Sequence, residues 1–239
     1  MIRGAGEHGL LVETGALEVS HRLDALLRAD RPDGVVEIVP GPETVLVVAP
    51  GADRGRLRAV LERLLGEAGT GDAGGAAAED AGGVVAEHAG DVVAEHAGDV
   101  VAKHARDVVA EHARDVVRIP VVYDGEDLAS VAELAGLSPE EVVARHTGRD
   151  LVVGWLGFAP GFAYLTGLDP ALHLPRLGTP RTSVPAGSVA VAGPYSAVYP
   201  SASPGGWRLL GRTSLRVWDV TAEPPSPFRP GTRVRFERA

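Results

Sequence analysis

The apolar positions of residues 1–66 predict a small domain in which strands and helices alternate. Residues 10–13 have the composition of a strand, and Ile2 and Arg3 can form a short strand before it. Residues 15–28 carry apolar side chains spaced approximately as on one face of a helix: Leu17, Val19, Leu23, Leu26 and Leu27. This part of the domain therefore consists of two strands followed by a helix.

The same order recurs in the second half of this domain. Residues 34–39 and 44–48 are β-branched runs joined by a Pro-Gly-Pro-Glu turn, which predicts a hairpin. Residues 53–65 place leucines inward and arginines outward, which predicts an amphipathic helix that Asp53 can cap. We therefore expect a two-layer α+β domain with the order β2-α-β2-α, and a docking or scaffold role for it.

Residues 67–115 form a low-complexity insertion that repeats with a period of eight from Gly82 onward. The repeat places four histidines in equivalent positions: His88, His96, His104 and His112. In an α-helix, eight residues advance about 12 Å along the axis and turn about 80° beyond two full turns, so four such rings cannot share one metal ion. The valine pairs drift in the same way and form no continuous stripe. We expect a disordered or loosely helical linker without a metal site.

Residues 116–239 have the pattern of a small β-barrel or sandwich with shaped loops. Residues 116–122 are β-branched and predict a first strand, and further short apolar runs lie between turns rich in proline and glycine: residues 188–192, 208–210 and 215–220. Eight prolines lie between Pro160 and Pro204, and they exclude a helix from that stretch. All eleven aromatic residues lie in this half, so a ring-filled core and any stacking surface belong to it.

Two short helices are predicted near the start of this half. Residues 127–135 form the first. Ser138 begins the second as its N-cap, with proline at the first helical position and Glu141 completing a capping box. His146 then lies near the C-terminus of this helix, where the helix dipole favours an imidazolium. We leave open whether His146 is structural or functional.

The composition restricts the chemistry of the chain. The formal net charge is −9, but residues 67–115 carry eleven acidic and three basic side chains, so the remainder is nearly neutral. A basic patch with interleaved aromatic residues is missing from the sequence, which disfavours nucleic acid as a partner. There is no cysteine, no apolar leader-like segment at the N-terminus and no apolar run of about 18 residues, so we expect a cytoplasmic chain without a membrane partner.

Two nucleotide-binding patterns are rejected. Residues 4–9 match G-x-G-x-x-G, but that mechanism needs a strand before the glycines and a helix after them, whereas a strand is predicted to follow here. Lys103 is the single lysine and lies inside the repeat, so the chain supplies neither a P-loop lysine nor a Schiff-base lysine. Any ATP would have to be held by arginines, backbone amides or a partner.

The glycine-rich turns of the C-terminal half carry the candidate binding groups. Arg181 and Arg212 have guanidinium groups that suit a carboxylate or a phosphate, and the turn 203–206 could present backbone amides to an anion. Other candidates either line an apolar groove or belong to the core: Phe158, Phe162, Tyr164, Tyr199 and Trp207. Buried arginines often only tie loops to a barrel, so a structural role remains open for both.

Three long motifs in this half resemble one known family. They are Phe158-Ala-Pro-Gly-Phe-Ala-Tyr-Leu165, then Thr179-Pro-Arg-x-x-Val-Pro-Ala-Gly-Ser188, and then Tyr199-Pro-x-x-Ser-Pro-Gly-Gly-Trp207 followed by Gly211-Arg-Thr213. This chain resembles the family of the 5-oxoprolinase B subunit, which also contains the kinase inhibitor KipI and proteins labelled allophanate hydrolase subunit 1 or carboxyltransferase subdomains C and D. The resemblance implies an N-terminal α+β domain and a C-terminal cyclophilin-like β-barrel.

The resemblance also implies an activity. The B subunit would act in direct contact with the C subunit, which is a carboxyltransferase A/B-type chain, and also with the A subunit. Using ATP and Mg²⁺ shared with the partner, the assembly would open 5-oxoproline to glutamate through phosphorylation of the lactam. Catalytic candidates are His146, Arg181 and Arg212. Substrate-binding candidates are the following residues: Phe158, Phe162, Tyr164, Ser188, Tyr199, Ser203, Gly205, Gly206 and Trp207.

Two other functions within this family remain open. One is inhibition of a sensor histidine kinase, as by KipI, and the other is a component of an allophanate hydrolase or urea carboxylase type of carboxyltransferase. The chain also departs from the family pattern, because Tyr195 stands where many relatives have glutamine. Any role that needs that amide is therefore in doubt.

Overall fold

A computed structural model describes residues 1–70 and 116–239, and these fall into two compact units, one on each side of the intervening segment. Residues 71–115, with the octapeptide repeat and its four histidines, lie outside the described residues. The prediction that the repeat is a disordered or loosely helical linker, and the prediction that it binds no metal, therefore stay predictions. Each unit is described by itself below.

The first unit is a four-stranded antiparallel sheet with two helices. Its strands are β1 (Ile2–Ala5), β2 (Gly9–Glu13), β3 (Glu37–Pro40) and β4 (Thr44–Val48), in the spatial order β1-β2-β4-β3. Its helices are α1 (Leu17–Ala29) and α2 (Arg54–Thr70). Residues 4–9, with the G-x-G-x-x-G pattern, run from β1 through a turn into β2, so a strand and not a helix follows the glycines.

Alternating burial explains how this unit holds together. In β2, Leu10 and Val12 are buried, and their counterparts in β4 and the helices form one core with them: Val45, Val47, Leu23, Leu27 and Leu61. Asp53 begins α2 as predicted, because its carboxylate accepts a hydrogen bond of 2.9 Å from the Arg56 N–H. The helix continues to Thr70, past the predicted end at residue 65, and Ala68 extends its buried stripe.

The second unit is organised around a seven-stranded sheet. Its elements along the chain are β5 (Val116–Val121), α3 (Leu128–Ala135), α4 (Pro139–Thr147), β6 (Leu151–Leu156), β7 (Ala163–Thr166), a 3₁₀ turn (Pro170–Leu172), β8 (Arg181–Val184), β9 (Ser188–Ala192), β10 (Tyr195–Val198), β11 (Ser203–Gly205), β12 (Arg208–Arg212) and β13 (Arg233–Arg238). The strand order is β12-β9-β10-β7-β6-β13-β5, and β8 pairs with β11 as a separate ribbon.

The two outer strands of this sheet meet, so that it is nearly closed into a barrel. Val122, directly after β5, and Arg212, at the end of β12, exchange two backbone hydrogen bonds of 2.9 Å. Glycines make this close approach possible: a Cβ at Gly211 would lie 2.2 Å from the Val122 carbonyl oxygen, and one at Gly125 would lie 2.3 Å from the Leu209 carbonyl oxygen. The predicted barrel is therefore confirmed.

The short helices pack on this barrel through apolar side chains. Residues of α3 and α4 form a core cluster with residues of β9 and β12: Val131, Ala132, Val142, Val191 and Leu210. The predicted capping box is confirmed, because the Glu141 N–H donates to Ser138 Oγ at 3.2 Å and the Ser138 N–H donates to the Glu141 carboxylate at 2.7 Å.

Two predictions of secondary structure in this unit are wrong. Residues 215–220 form no strand, because Asp219 forms a local turn in which its carboxylate accepts from the Thr221 N–H at 2.9 Å. The proline-rich stretch does contain one 3₁₀ turn at Pro170–Leu172, since proline is tolerated at a first helical position and Asp169 caps the turn. Among the helices of the described ranges, none is long and apolar enough to cross a membrane.

Candidate functional site

Five predicted aromatic residues come together on one side of the barrel sheet. Phe162 lies at the centre, and its ring centroid is 5.2–5.5 Å from the centroids of four others: Phe158, Tyr164, Tyr199 and Trp207. All four contacts are edge-to-face, which is a favourable geometry for aromatic pairs. We call these five residues, together with Trp155, Tyr195 and Arg176 described below, the aromatic cluster.

Burial divides the cluster into a floor and an exposed part. Phe162, Tyr199 and Trp207 are buried, and they pack with small residues of β9 and β10. Tyr164 is half-buried, whereas the Phe158 side chain is 62% exposed. Phe162, Tyr199 and Trp207 therefore belong to the core, whereas Phe158 and Tyr164 contribute to an exposed surface.

Three further residues extend the cluster, and the sequence reasoning did not include them among the site residues. Trp155 on β6 stacks on Tyr164 of β7, with ring centroids 4.7 Å apart, and Tyr195 contacts both rings edge-on. Arg176 places its guanidinium carbon 5.8 Å from the centre of the Trp207 ring. Trp155 could have been found from the alternation of inward and outward side chains along β6 and β7. The signal for Tyr195 was its departure from the family pattern.

The hydroxyl of Tyr199 supports the glycine-rich turn. It accepts a hydrogen bond from the Trp207 backbone, and a Cβ at Gly205 would lie 2.3 Å from it. Burial, the largest influence, raises the pKa of Tyr199, so the phenol stays protonated near neutral pH. Tyr199 and Gly205 therefore shape the floor, and Tyr199 is not placed as a base.

The predicted anion-binding turn is partly a strand. Ser203 and Gly205 lie on β11 and pair with Val184 and Arg181 of β8, while the Gly206 carbonyl accepts from Leu177 at 2.8 Å. The Ser203 Oγ is buried and has no hydrogen-bond partner in the described part of the chain. The residues of this ribbon border the buried Trp207.

Arg181 is held by carboxylates of its own chain. Its Nη2 donates to both oxygens of Asp127 at 2.8 Å, its Nε lies 2.7 Å from Glu126, and its Nη1 reaches the Trp207 carbonyl at 3.4 Å. Burial tends to lower the pKa of Arg181, but the hydrogen bonds and charges of Asp127 and Glu126 outweigh it and raise the pKa. Both terminal nitrogens of the predicted fork are therefore occupied within the chain.

Arg212 is in a different situation. Its side chain is 68% exposed, and its Nε donates to Asp124 at 2.9 Å. Within the described residues its two Nη atoms have no hydrogen-bond partner, so they can receive an anion. Ser188 is the strand partner of Arg212 and is buried, so it supports the barrel seam more than it lines a surface.

His146 is buried in the barrel and is not an imidazolium. Its Nδ1 lies 2.7 Å from the Tyr123 hydroxyl and its Nε2 lies 2.8 Å from Ser196 Oγ, while its ring stacks on Phe236 at 4.3 Å. Burial lowers the pKa of His146 to about 3. The helix dipole favours an imidazolium at this position, but the loss of solvent around the buried ring opposes it and dominates.

The hydrogen bonds also define the tautomer of His146. Ser196 Oγ donates to the Ala190 carbonyl at 3.1 Å, so it accepts from the N–H at Nε2. Nδ1 is then an acceptor, and the Tyr123 hydroxyl donates to it. His146 therefore ties α4 to β10 from within the core.

A family model matches most of the C-terminal half of the chain. The model for the carboxyltransferase domain, subdomains C and D, matches residues 88–228, which is more than half of the sequence. The chain belongs to this family. The carboxyltransferase C/D family therefore accounts for the motifs on which the resemblance was based.

Known members and structures show how far the likeness extends. This carboxyltransferase C/D chain is 51% identical over 123 residues to the 5-oxoprolinase B subunit of Escherichia coli O157:H7, and 48% identical over 125 residues to that of Bacillus subtilis. These matches cover 50% and 51% of this chain and 56% and 52% of the relatives. The chain thus spans about half the length of the curated relatives it matches.

Solved structures agree with the fold of this family member. The structure of TTHA0988 matches with a TM-score of 0.71 at 34% identity, over 100% of this chain and 40% of the other. The Kluyveromyces lactis urea carboxylase matches with a TM-score of 0.64 at 18% identity, over 100% of this chain and 21% of that protein, which shows a shared fold.

The aromatic cluster of this carboxyltransferase C/D chain has the composition of a binding surface. The cluster offers a partly exposed stacking surface, with the Arg176 guanidinium over the Trp207 ring. Within residues 1–70 and 116–239, no group of three or more His, Asp or Glu side chains could hold a metal ion. Burial raises the pKa of Tyr199 in the cluster and lowers that of His146, which lies in the core beside Phe236 and outside the cluster.

Proposed function

We propose that this chain is the B subunit of an ATP-dependent 5-oxoprolinase and is not active alone. With the A and C subunits it would open 5-oxoproline to glutamate through phosphorylation of the lactam. Two curated relatives of this name at 48–51% identity support the proposal. The barrel would be of the cyclophilin-like kind, and the assembly would be cytoplasmic. The aromatic cluster is the observation that carries this reading, because a rigid and partly exposed stacking surface suits a contact that a partner completes.

The assignment of roles follows the contacts. The aromatic cluster would provide an apolar surface from which water is displaced when the assembly forms. Arg212 is the better candidate to hold a carboxylate or phosphate, because its Nη atoms are exposed and Arg181 is already compensated by Asp127 and Glu126. In this proposal Arg181 is a positioning residue, which holds the Trp207 carbonyl.

The described residues alone do not supply a complete site for ATP and Mg²⁺. They provide no lysine, since Lys103 lies outside them, and no cluster of carboxylates for a metal ion. We therefore assign no step at the nucleotide to this chain. ATP and Mg²⁺ belong to the assembled enzyme, where companion subunits would supply most of their ligands.

A reconstitution experiment tests this function. The chain is purified alone and also co-expressed with its neighbouring gene products, and phosphate release from ATP is measured with and without 5-oxoproline. We expect 5-oxoproline to stimulate release only when the A and C subunits are present. Turnover by the isolated chain at an ordinary enzymatic rate would contradict a non-autonomous role, and an assembled complex that ignores 5-oxoproline would contradict the substrate.

A second function is a component of a urea carboxylase type of carboxyltransferase. The urea amidolyase of Saccharomyces cerevisiae, which is 30% identical over 114 residues, supports it; the match covers 44% of this chain and 6% of that protein. This function predicts that activity depends on biotin carried by another protein, so sequestering biotin with avidin should abolish it. A 5-oxoprolinase should be unaffected by avidin.

A further inference from the structure

Phe158 has an unusual backbone conformation. Its φ of 69° lies in the left-handed region, and in the described ranges it is the one non-glycine residue with a positive φ. A bulky side chain there clashes with its own backbone, so the conformation is strained. Asparagine or glycine would occupy the position with less strain.

The turn that carries Phe158 cannot easily relax. The Gly157 N–H donates to the Phe162 carbonyl at 3.1 Å, and the Phe162 N–H donates to the Ala159 carbonyl at 3.0 Å. Gly161 packs so closely on Trp218 that a Cβ there would lie 2.6 Å from the Trp218 Cβ. The turn between β6 and β7 is therefore fixed from both sides.

The strain serves no packing purpose within the described part of the chain. The ring of Phe158 is 62% exposed, and its ring contact is an edge-to-face approach to Phe162 at 5.2 Å. A small-molecule pocket would surround a ligand, whereas this ring projects from the surface. A rigid projecting aromatic side chain suits insertion into an apolar pocket of another protein.

We propose that Phe158 is a preformed anchor that inserts into an apolar pocket on the companion C subunit. The inference rests on the proposed function, because it takes the C subunit as the second polypeptide. The floor beneath the ring is rigid, since Phe162 contacts Tyr199 and Trp207 in the core. Binding would therefore require little ordering of the side chain, which favours affinity.

The test compares two variants of the full chain. Phe158→Asn removes the ring but keeps a residue that tolerates the left-handed region. Val220→Asn is the matched control, because Val220 is 75% exposed in the same unit and has an ordinary φ. The measurements are the melting temperature of each isolated chain and the Kd for the purified C subunit.

We expect Phe158→Asn to keep or raise the melting temperature while the Kd for the C subunit rises at least tenfold. Val220→Asn should leave the Kd within twofold. If Phe158→Asn binds as tightly as the wild type, the anchor is disproved while the proposed function stands. If the wild-type chain does not bind the C subunit in any measurable way, the proposed function fails, and the anchor fails with it.

Discussion

Asp127 neutralises Arg181 inside the barrel unit. Both oxygens of Asp127 lie 2.8 Å from Nη2 of Arg181, although 54 residues separate the two in the sequence. One of these oxygens also accepts from the Leu209 N–H at 2.7 Å, and Asp127 is 7% exposed. The pair thus joins the start of α3 to β8 and β12, next to the floor of the aromatic cluster.

Asp127→Ala should destabilise the C-terminal unit by about 3 kcal/mol, because it leaves a largely buried guanidinium without its main partner. All three tryptophans lie in this unit, so urea unfolding followed by tryptophan fluorescence reports on it specifically. Asp124→Ala is the control: its pair with Arg212 is exposed, so the free energy of unfolding should change by about 0.5 kcal/mol or less. If Asp127→Ala lowers the free energy of unfolding no more than Asp124→Ala does, the pair of Asp127 with Arg181 does not stabilise the unit.

The contrast between Arg181 and Arg212 marks a limit of sequence reasoning. Both arginines stand in glycine-rich motifs and looked equally suited to an anion. Only the tertiary structure brings Asp127 and Glu126 to Arg181, and neither is near it in the chain. Local signals did better: the capping box at Ser138 depends on residues three apart, so the sequence contains all of it.

Arg212→Ala should raise the KM for 5-oxoproline of the assembled enzyme about tenfold or more, since a charge-assisted hydrogen bond of about 1.5–3 kcal/mol would be lost. Its free energy of unfolding should hardly change, because the side chain is exposed. Arg216→Ala is a matched control in the same unit, since Arg216 is 82% exposed and lies in a similar ion pair. An unchanged KM in Arg212→Ala would show that Arg212 does not bind the substrate.

Gly211→Ala should destabilise the C-terminal unit by about 2–3 kcal/mol. The added Cβ would lie 2.2 Å from the Val122 carbonyl oxygen, so the barrel seam would have to open. Gly178→Ala is the control, because its Cβ would meet no atom within 4 Å. Urea unfolding measures the stability of both variants. If Gly211→Ala leaves the free energy of unfolding unchanged, the seam accommodates the added Cβ without destabilising the unit.

His146 shows how a tertiary environment overrides a local rule. The helix dipole favours a charged histidine at that position, but the ring is fully buried between Tyr123, Ser196 and Phe236, and the neutral form prevails. Trp155 is the opposite case. Trp155 and Tyr164 are opposite each other in the β6–β7 pair, so knowing the register of these two strands would have predicted their contact.

The buried His146 should make stability depend on pH between about 6.5 and 3. Above pH 6.5 the histidine is neutral in both the folded and the unfolded chain, so its contribution is constant. As the pH falls, the unfolded chain binds a proton near pH 6.5, while burial lowers the folded pKa to about 3. The unfolded state then binds more protons, and the free energy of unfolding falls by about 1.4 kcal/mol per pH unit from this group.

His146→Gln should remove that contribution to the slope, although it also lowers stability at pH 7 because the stacking on Phe236 is lost. The measurement is the free energy of unfolding in urea at several pH values between 4 and 7, followed by tryptophan fluorescence. Because carboxylates contribute equally to wild type and variant, the difference in slope isolates His146. Identical slopes in wild type and His146→Gln would show that burial does not lower the pKa of this ring in the folded protein.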